Sequence, residues 1–396
     1  MTTLLTFEEA VRAVLERAHT LPAERVEVAA ARGRVLSEPV RAAVDLPPFP
    51  ASAMDGFALR AAETPGTFPV VFRIAAGLPA PRALVPGETM AIATGGAVPE
   101  GADAVVPIEV VRDEGDTLVV PDPVEAGANV RPRGSDVAAG SEVVPAGARL
   151  GAAQVGAVGA AGRREVTCVQ RPRVAVVTTG SELRPPGSEL GPGEIYESNG
   201  AMLATQLEAA GAEVQTPTMA RDDDDAHREA IERGLGLDVL ITSGGVSVGP
   251  HDLVRRIERE LGVEEVFWGV AVKPGKPLSF GIRGSSLVFG LPGNPVSSLV
   301  ACALFVVPAI EALQGTVEPG PRFEWGRLAG SVRRDPHRDV FLRALAKSSR
   351  TGESLSPIQG QESHMIMRAA GANALALVRR GEGTLAAGTA VEFLRL

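Results

Sequence analysis

Asp238-Val-Leu-Ile-Thr-Ser-Gly-Gly-Val-Ser-Val-Gly249 reads as a short apolar strand that runs into a glycine-rich turn. The same order recurs three times nearby. Arg173-Val-Ala-Val-Val177 runs into Thr178-Thr-Gly-Ser-Glu-Leu183, and Phe267 to Val272 runs into Lys273-Pro-Gly-Lys-Pro277. Ser286-Leu-Val-Phe289 runs into Gly290-Leu-Pro-Gly-Asn-Pro-Val-Ser-Ser298. Helical spacing fills the gaps over 199–210, 222–234, 253–261 and 295–313. Strand and helix in alternation predict a mostly parallel sheet covered on both faces. Ligands of such sheets bind outside the carboxyl ends of the strands. Four turns of this kind predict one pocket rich in backbone N–H groups and hydroxyls, with two lysines. That chemistry suits an anionic, phosphate-bearing ligand.

Outward from this central segment, assigned to 171–318, the texture changes. Thr6-Phe-Glu-Glu9 is a capping box, and Val11, Val14, Leu15 and Ala18 follow at helical spacing, so a first helix is expected to about His19. Leu46-Pro-Pro-Phe-Pro50 forbids helix. Short β-type runs over 68–74, 89–93, 104–111 and 117–120 then predict a β-rich domain over 46–136. The Gly/Ala/Val segment 150–162 is read as a tightly packed helix that folds back onto the first. The β-rich domain then becomes an insertion into a helical, elongated N-terminal region made of 1–45 and 137–170. Short strands over 319–396, beyond the Pro319-Gly-Pro321 linker, predict a small barrel-like β-domain. The chain is thus expected to be an α/β multidomain protein.

Composition narrows the functions. The 396 residues carry a net charge of −9, which argues against a large nucleic-acid surface while leaving room for a local basic pocket. Only two cysteines occur, Cys168 and Cys302, so a disulfide framework or thiolate metal site is not expected. The start has no basic n-region or apolar h-region, and the longest apolar run, Leu299 to Ile310, contains Pro308 and is short for a bilayer. A cytoplasmic protein without membrane contact is expected. The five histidines show no metal-binding spacing and are expected mostly at the surface.

Individual residues carry both a functional and a plainer reading. Ser243, Gly244, Gly245 and Ser247 would let backbone approach a phosphate, or merely connect strand to helix. Lys273 and Lys276 sit on a proline-stiffened turn that suits an anion held between two ammonium groups. Pro292, Gly293, Asn294 and Pro295 open a helix, with Asn294 a good cap and Ser297 beside free backbone donors. Asp222 to Asp225 is a run at a helix start. The helix dipole accounts for Asp223 to Asp225, whereas Asp222 and Asp252 are candidates to hold Mg2+. Glu182 is the better-aimed acid, because its strand points it at the crevice.

Taken in order, several segments resemble the molybdopterin molybdenumtransferase (MoeA) family, related to the second enzymatic domain of gephyrin. They are Ser52-Ala-Met-Asp-Gly-Phe57, Thr94-Gly-Gly-Ala-Val-Pro99, Gly101-Ala-Asp-Ala-Val105, Asn129-Val-Arg-Pro-Arg-Gly134 with Asp136, Thr179-Gly-Ser-Glu-Leu183, Ile195-Tyr-Glu-Ser-Asn199, 243–249 with Asp252, Lys273 to Pro277, and Leu291 to Ser298. The resemblance covers essentially the whole chain. It implies a central domain of molybdopterin-binding type and a homodimer in which both subunits build each site. It implies insertion of molybdate into adenylylated molybdopterin, release of AMP, and help from Mg2+. A molybdopterin adenylyltransferase upstream and molybdoenzyme acceptors downstream are the implied partners. By resemblance, Asp55, Thr94, Asp136, Glu182, Asp222, Asp252 and Lys276 are linked to activity. Lys273, Lys276, Ser297, Arg343 and Ser363 are assigned to molybdate. Glu197 and Ser181 depart from the family pattern at positions where Asp is frequent. Two other readings stand beside this one: a molybdopterin adenylyltransferase, and a non-enzymatic protein that stores the cofactor.

Overall fold

The computed structural model describes residues 4–220, 223–245, 253–350 and 352–396. Its centre is a sheet whose strands lie in the order Glu213–Val214, Arg173–Thr179, Val239–Ser243, Ser286–Leu291, Ser279–Arg283 and Glu264–Trp268. The first four run parallel, and Ser279–Arg283 runs against both its neighbours. Successive residues face opposite sides. Val174 and Val176 join one core with Val239, Ile241, Leu287 and Phe289, while Ala175 and Val177 join a second with Leu240 and Val288. Two apolar faces require two layers of helix. Asn199–Ala209 and the long helix from Pro295 cover the first, and Asp224–Gly234 and Leu253–Glu260 cover the second.

The long helix is α-helical over Pro295–Ala301, widens to a π-turn over Cys302–Val306, and is α-helical again over Val307–Leu313. The cause lies in Pro308. It has no N–H for the Leu304 carbonyl, and its ring crowds that carbonyl, so the turn ahead of it opens. By length and hydropathy this helix could cross a membrane, but 83% of it is buried as the central core of the fold.

Two expectations are corrected here. The first helix, Phe7–Leu15, has its capping box but does not pair with the glycine-rich helix Ala152–Ala160. Its Phe7 ring meets Phe305, Phe323 and Phe341 edge-on at 5.8, 6.0 and 5.3 Å, where the central domain meets the C-terminal β-domain. Ala152–Ala160 instead packs Val158 into a separate core with Leu36, Val144 and Cys168, beside the antiparallel pair Ala23–Glu27 and Glu165–Val169. Second, 267–272 is not one strand. The strand ends at Trp268, Gly269 turns the chain at φ +87, and Val272–Lys273 leaves the central sheet to pair with Asp339–Val340.

The inserted segment forms a six-stranded sheet ordered Ala104–Pro107, Gly56–Leu59, Thr89–Ile92, Gly66–Ile74, Thr117–Val120 and Arg112–Asp113. In the C-terminal region Asp339–Ser349 pairs with both Gly352–Pro357 and Ala374–Val378. The remaining pairings run through Phe323–Leu328 and Ala390–Arg395 and close a five-stranded barrel. Closure removes the exposed edges a small sheet would otherwise carry.

Candidate functional site

The parallel strands do not follow one direction across the sheet. From Arg173–Thr179 the chain moves outward to Glu213–Val214, then returns to the other side with Val239–Ser243. The crossovers diverge at that point, which leaves a crevice at the strands' carboxyl ends. A cleft of about 710 Å³ lies there. Its floor is Thr178 to Gly180, Ser243 to Gly245 and Pro292 to Pro295, from the ends of three neighbouring strands. Its walls are Glu182, the 195–199 segment, His227, Leu253, Val254 and Pro277, with His364 and Ile366 from the C-terminal domain.

Glycine is required at the floor. Gly244 has φ +104, and a Cβ there would stand 2.6 Å from the Thr179 carbonyl oxygen. Gly245 has φ +65, and its Cβ would meet the Val254 side chain at 2.6 Å. The residues assigned to the ligand from sequence therefore divide. Gly244, Gly245, Gly293, Pro292, Pro295 and Glu182 face the cleft. Ser243 is committed internally: its hydroxyl accepts from Asn199 Nδ2 at 3.0 Å and lies 3.1 Å from Ser298 Oγ, buried. Asn199 Nδ2 also donates to the Gly293 carbonyl at 2.8 Å, so one amide ties two turns together. Asn294 holds the cap position without capping; its Nδ2 donates to Ser363 Oγ at 2.9 Å. Val296 N–H donates to the Ser363 carbonyl at 3.0 Å, docking the barrel domain onto the helix start. Ser297 is buried in that first turn, with its carbonyl facing the Gly275 turn.

The two lysines are placed differently from expectation. Because Val272–Lys273 follows the barrel, the lysine turn reaches the main cleft only through Pro277. Lys273 lines a separate cavity of about 370 Å³ with Arg333, Arg334, Asp335 and Gln361, and Lys276 is exposed. Arg343 is also corrected as a direct anion contact. It is 1% exposed, and its guanidinium donates to the carbonyls of Gly360, Glu362 and Met365 at 2.7, 3.2 and 2.9 Å. Burial lowers its affinity for its proton, and Glu362 partly offsets this. Arg343 shapes the loop that carries Ser363 and His364.

Asp55, Thr94 and Asp136 do not line this cleft. They are exposed on the inserted segment and the strand pair beside it. Asp55 Oδ1 accepts from Thr94 N–H at 2.6 Å and Thr94 Oγ1 at 2.9 Å, and these two donors hold its carboxyl below the usual range. Ser247, Asp222 and Asp252, and with the latter two the Mg2+ assignment, lie outside the described residues. Asp223 is the helix cap, accepting from Ala226 N–H at 2.7 Å, as the plain reading of the aspartate run expects. Glu197 accepts from Gly200 N–H at 2.9 Å and is engaged at the start of the next helix. The two cysteines are buried, and burial raises both thiols.

Sequence reasoning missed His227 and His364. His227 is buried at the cleft, with Nδ1 2.9 Å from the Asp223 carbonyl. Its signal was available in the sequence, since it lies one helical turn from Ile231 on the face that packs inward.

A polar cleft floored by glycine turns at a switch point, with a barrel domain contributing to its wall, defines the class as a multidomain α/β protein. Similarity to known proteins narrows this class. Residues 5–162 match the MoeA N-terminal region (domain I and II), 175–312 the probable molybdopterin binding domain, and 326–396 the MoeA C-terminal region (domain IV). Molybdopterin molybdenumtransferase 2 of Mycobacterium tuberculosis is 35% identical over 401 aligned residues, covering 97% of this chain and 98% of that one. The molybdopterin molybdenumtransferase of Staphylococcus aureus is 29% identical, covering 98% and 94%. A crystal structure of the molybdopterin biosynthesis MoeA protein from Pyrococcus horikoshii superposes over all of both chains with a TM-score of 0.85 at 27% identity. The chain belongs to the MoeA family.

Proposed function

We propose that this chain is a molybdopterin molybdenumtransferase of molybdenum cofactor biosynthesis. It inserts molybdate into adenylylated molybdopterin at the dithiolene, cleaves the pyrophosphate-type bond and releases AMP. The observation that carries this reading is the convergence of the Gly180, Gly244 and Gly293 turns, from three neighbouring strands, on one cleft. Backbone that close to a ligand suits phosphate oxygens. Molybdate, a tetrahedral dianion, needs cations and hydroxyls at short range. Lys273 and Lys276 would supply charge from the turn that reaches the cleft at Pro277, and Ser297 and Ser363 would supply hydroxyls at the helix start. Arg343 acts by holding the loop that presents Ser363.

Metal assistance would need few protein groups, because Mg2+ binds through one or two carboxylates together with water and substrate phosphate. Glu182 fits that minimal set at the cleft, and Asp222 and Asp252 are proposed to complete it. When bound, Mg2+ would neutralise charge at the phosphates. The protein is proposed to work in the cytoplasm as a homodimer, receiving substrate from an adenylyltransferase and passing product to molybdoenzymes. Asp55 and Thr94, away from their own subunit's cleft, would serve the partner's.

The test is molybdate-triggered release of AMP from adenylylated molybdopterin. Release that depends on molybdate is expected. Tight pterin binding without release would favour the storage reading, and rapid adenylylation of molybdopterin by ATP would favour the adenylyltransferase. The inserted and barrel domains, which extend well beyond the central domain, support the transferase over that second rival.

A further inference from the structure

Tyr196 is the single tyrosine of the chain, and among the described residues of the cleft it is the only Phe, Tyr or Trp. It is 47% exposed, in a protein whose other aromatics are mostly in its cores. Leu190 and Ile195 of the same loop are exposed beside it. An exposed aromatic ring at the wall of a cleft offers a π-face to whatever the cleft holds.

The loop holding Tyr196 is built to keep the ring in place. Leu183 and Arg184 pair in parallel with Ile195 and Tyr196. Ile195 N–H donates to the Glu182 carbonyl at 2.9 Å, and Glu197 N–H donates to the Arg184 carbonyl at 2.8 Å. Arg184 pairs with Glu194, whose other oxygen accepts from Gly191 N–H at 2.8 Å. The Tyr196 hydroxyl donates to the Ser188 carbonyl at 2.9 Å. Both ends of the side chain are therefore anchored, and a flat apolar face is left at the wall of a cleft whose floor is backbone and hydroxyl.

We propose that Tyr196 is a positioning residue whose ring stacks on a heteroaromatic bicycle of the substrate, while the glycine floor holds the phosphates. This rests on the proposed function, whose substrate carries two such bicycles, a pterin and an adenine. Stacking on an aromatic side chain tolerates either ring, because each presents a π-face. The hydroxyl serves only the loop, so Phe should replace Tyr with little loss and Leu should not.

One tyrosine gives one set of ring signals, so selective tyrosine labelling reads this contact directly by nuclear magnetic resonance. Wild-type protein is titrated separately with AMP, with molybdopterin and with adenylylated molybdopterin, and the affinities of Tyr196→Phe and Tyr196→Leu are measured alongside. The expected result is an upfield ring-current shift of the Tyr196 signals and an affinity about tenfold weaker in Tyr196→Leu, restored in Tyr196→Phe. AMP acting alone assigns the adenine, and molybdopterin acting alone assigns the pterin. Unchanged signals and equal affinities in all three proteins, with AMP release intact, would overturn the stacking while leaving the transferase reading in place. Signals that move with protein concentration and not with ligand would assign the loop to a second copy and also overturn it. A wild-type protein that binds none of the three ligands would overturn the function and the stacking together.

Discussion

At the residue scale the structure separates side chains that face the cleft from those committed to holding the fold around it. Asp55 and Arg343 illustrate the two kinds of polar commitment. Asp55 is exposed, and Thr94 donates to it from both its backbone and its hydroxyl. Its folded carboxyl loses its proton more readily than in the unfolded chain. Its contribution is therefore present above the ordinary aspartate range and is lost as pH falls through the depressed value. Thr94→Ala removes only the hydroxyl, the smaller of the two causes. The Asp55 titration midpoint, followed by carboxyl-detected nuclear magnetic resonance, should rise partway toward its ordinary value. Arg343 is the buried counterpart. Arg343→Ala should lower stability by about 3 kcal/mol, because it leaves three carbonyls without their charged donor. Urea denaturation of the C-terminal barrel checks this, and loss of protection over 360–365 is expected to accompany it.

Arg343 also shows what one-dimensional reading confuses. The family resemblance implied contact with an anion, and its charge is indeed used, but on carbonyl oxygens. An Arg can donate to either kind of oxygen, so residue type alone cannot distinguish them. Lys273 and Lys276 carried the same ambiguity. Their prolines signalled a stiff turn, which exists, but not which sheet the preceding strand would join.

At the scale of elements, strand periodicity was legible because alternate residues must face opposite cores. The Arg173–Thr179 and Val239–Ser243 strands divide their side chains between two clusters in that way. Close strand contact was not legible. A Cβ at Gly56 would stand 2.0 Å from the Val106 carbonyl oxygen across the inserted sheet. Gly56→Ala should therefore destabilise that sheet by about 3 kcal/mol, since backbone, not a flexible side chain, would have to move. Hydrogen exchange should show lost protection at Gly56–Leu59 and Ala104–Pro107, with the central sheet unaffected. The Asp-Gly pair at 55–56 reads in sequence as an ordinary turn signal, and only the neighbouring strand gives the glycine its second role.

At the scale of the whole molecule, the chain's first helix and its last domain share one aromatic junction. Phe7 meets the central helix through Phe305 and the barrel region through Phe323 and Phe341. Glu8 pairs with Arg379 across the same junction. The inserted domain stands apart from this arrangement, and Asp55 and Thr94 do not line the cleft. If each site draws on two subunits, Asp55→Ala and Lys276→Ala damage different halves of it. Mixing the two inactive variants under exchange should restore about a quarter of wild-type AMP release, because half the dimers are mixed and each has one intact site. No recovery would place both residues in the same subunit's site.

The sequence by itself determined the period of the main strands and helices of the central domain, the capping box at Thr6, the glycine turns that floor the cleft, and the family to which the order of motifs belongs. These are properties of neighbouring residues, fixed by local sterics and by the alternation of apolar side chains. Only the tertiary structure decided that the first helix packs into the central core, that the lysine turn follows the barrel, and that Arg343 holds a loop. Each of these depends on which of several equally apolar or equally charged surfaces comes into contact, and that is settled by segments outside the local stretch of chain.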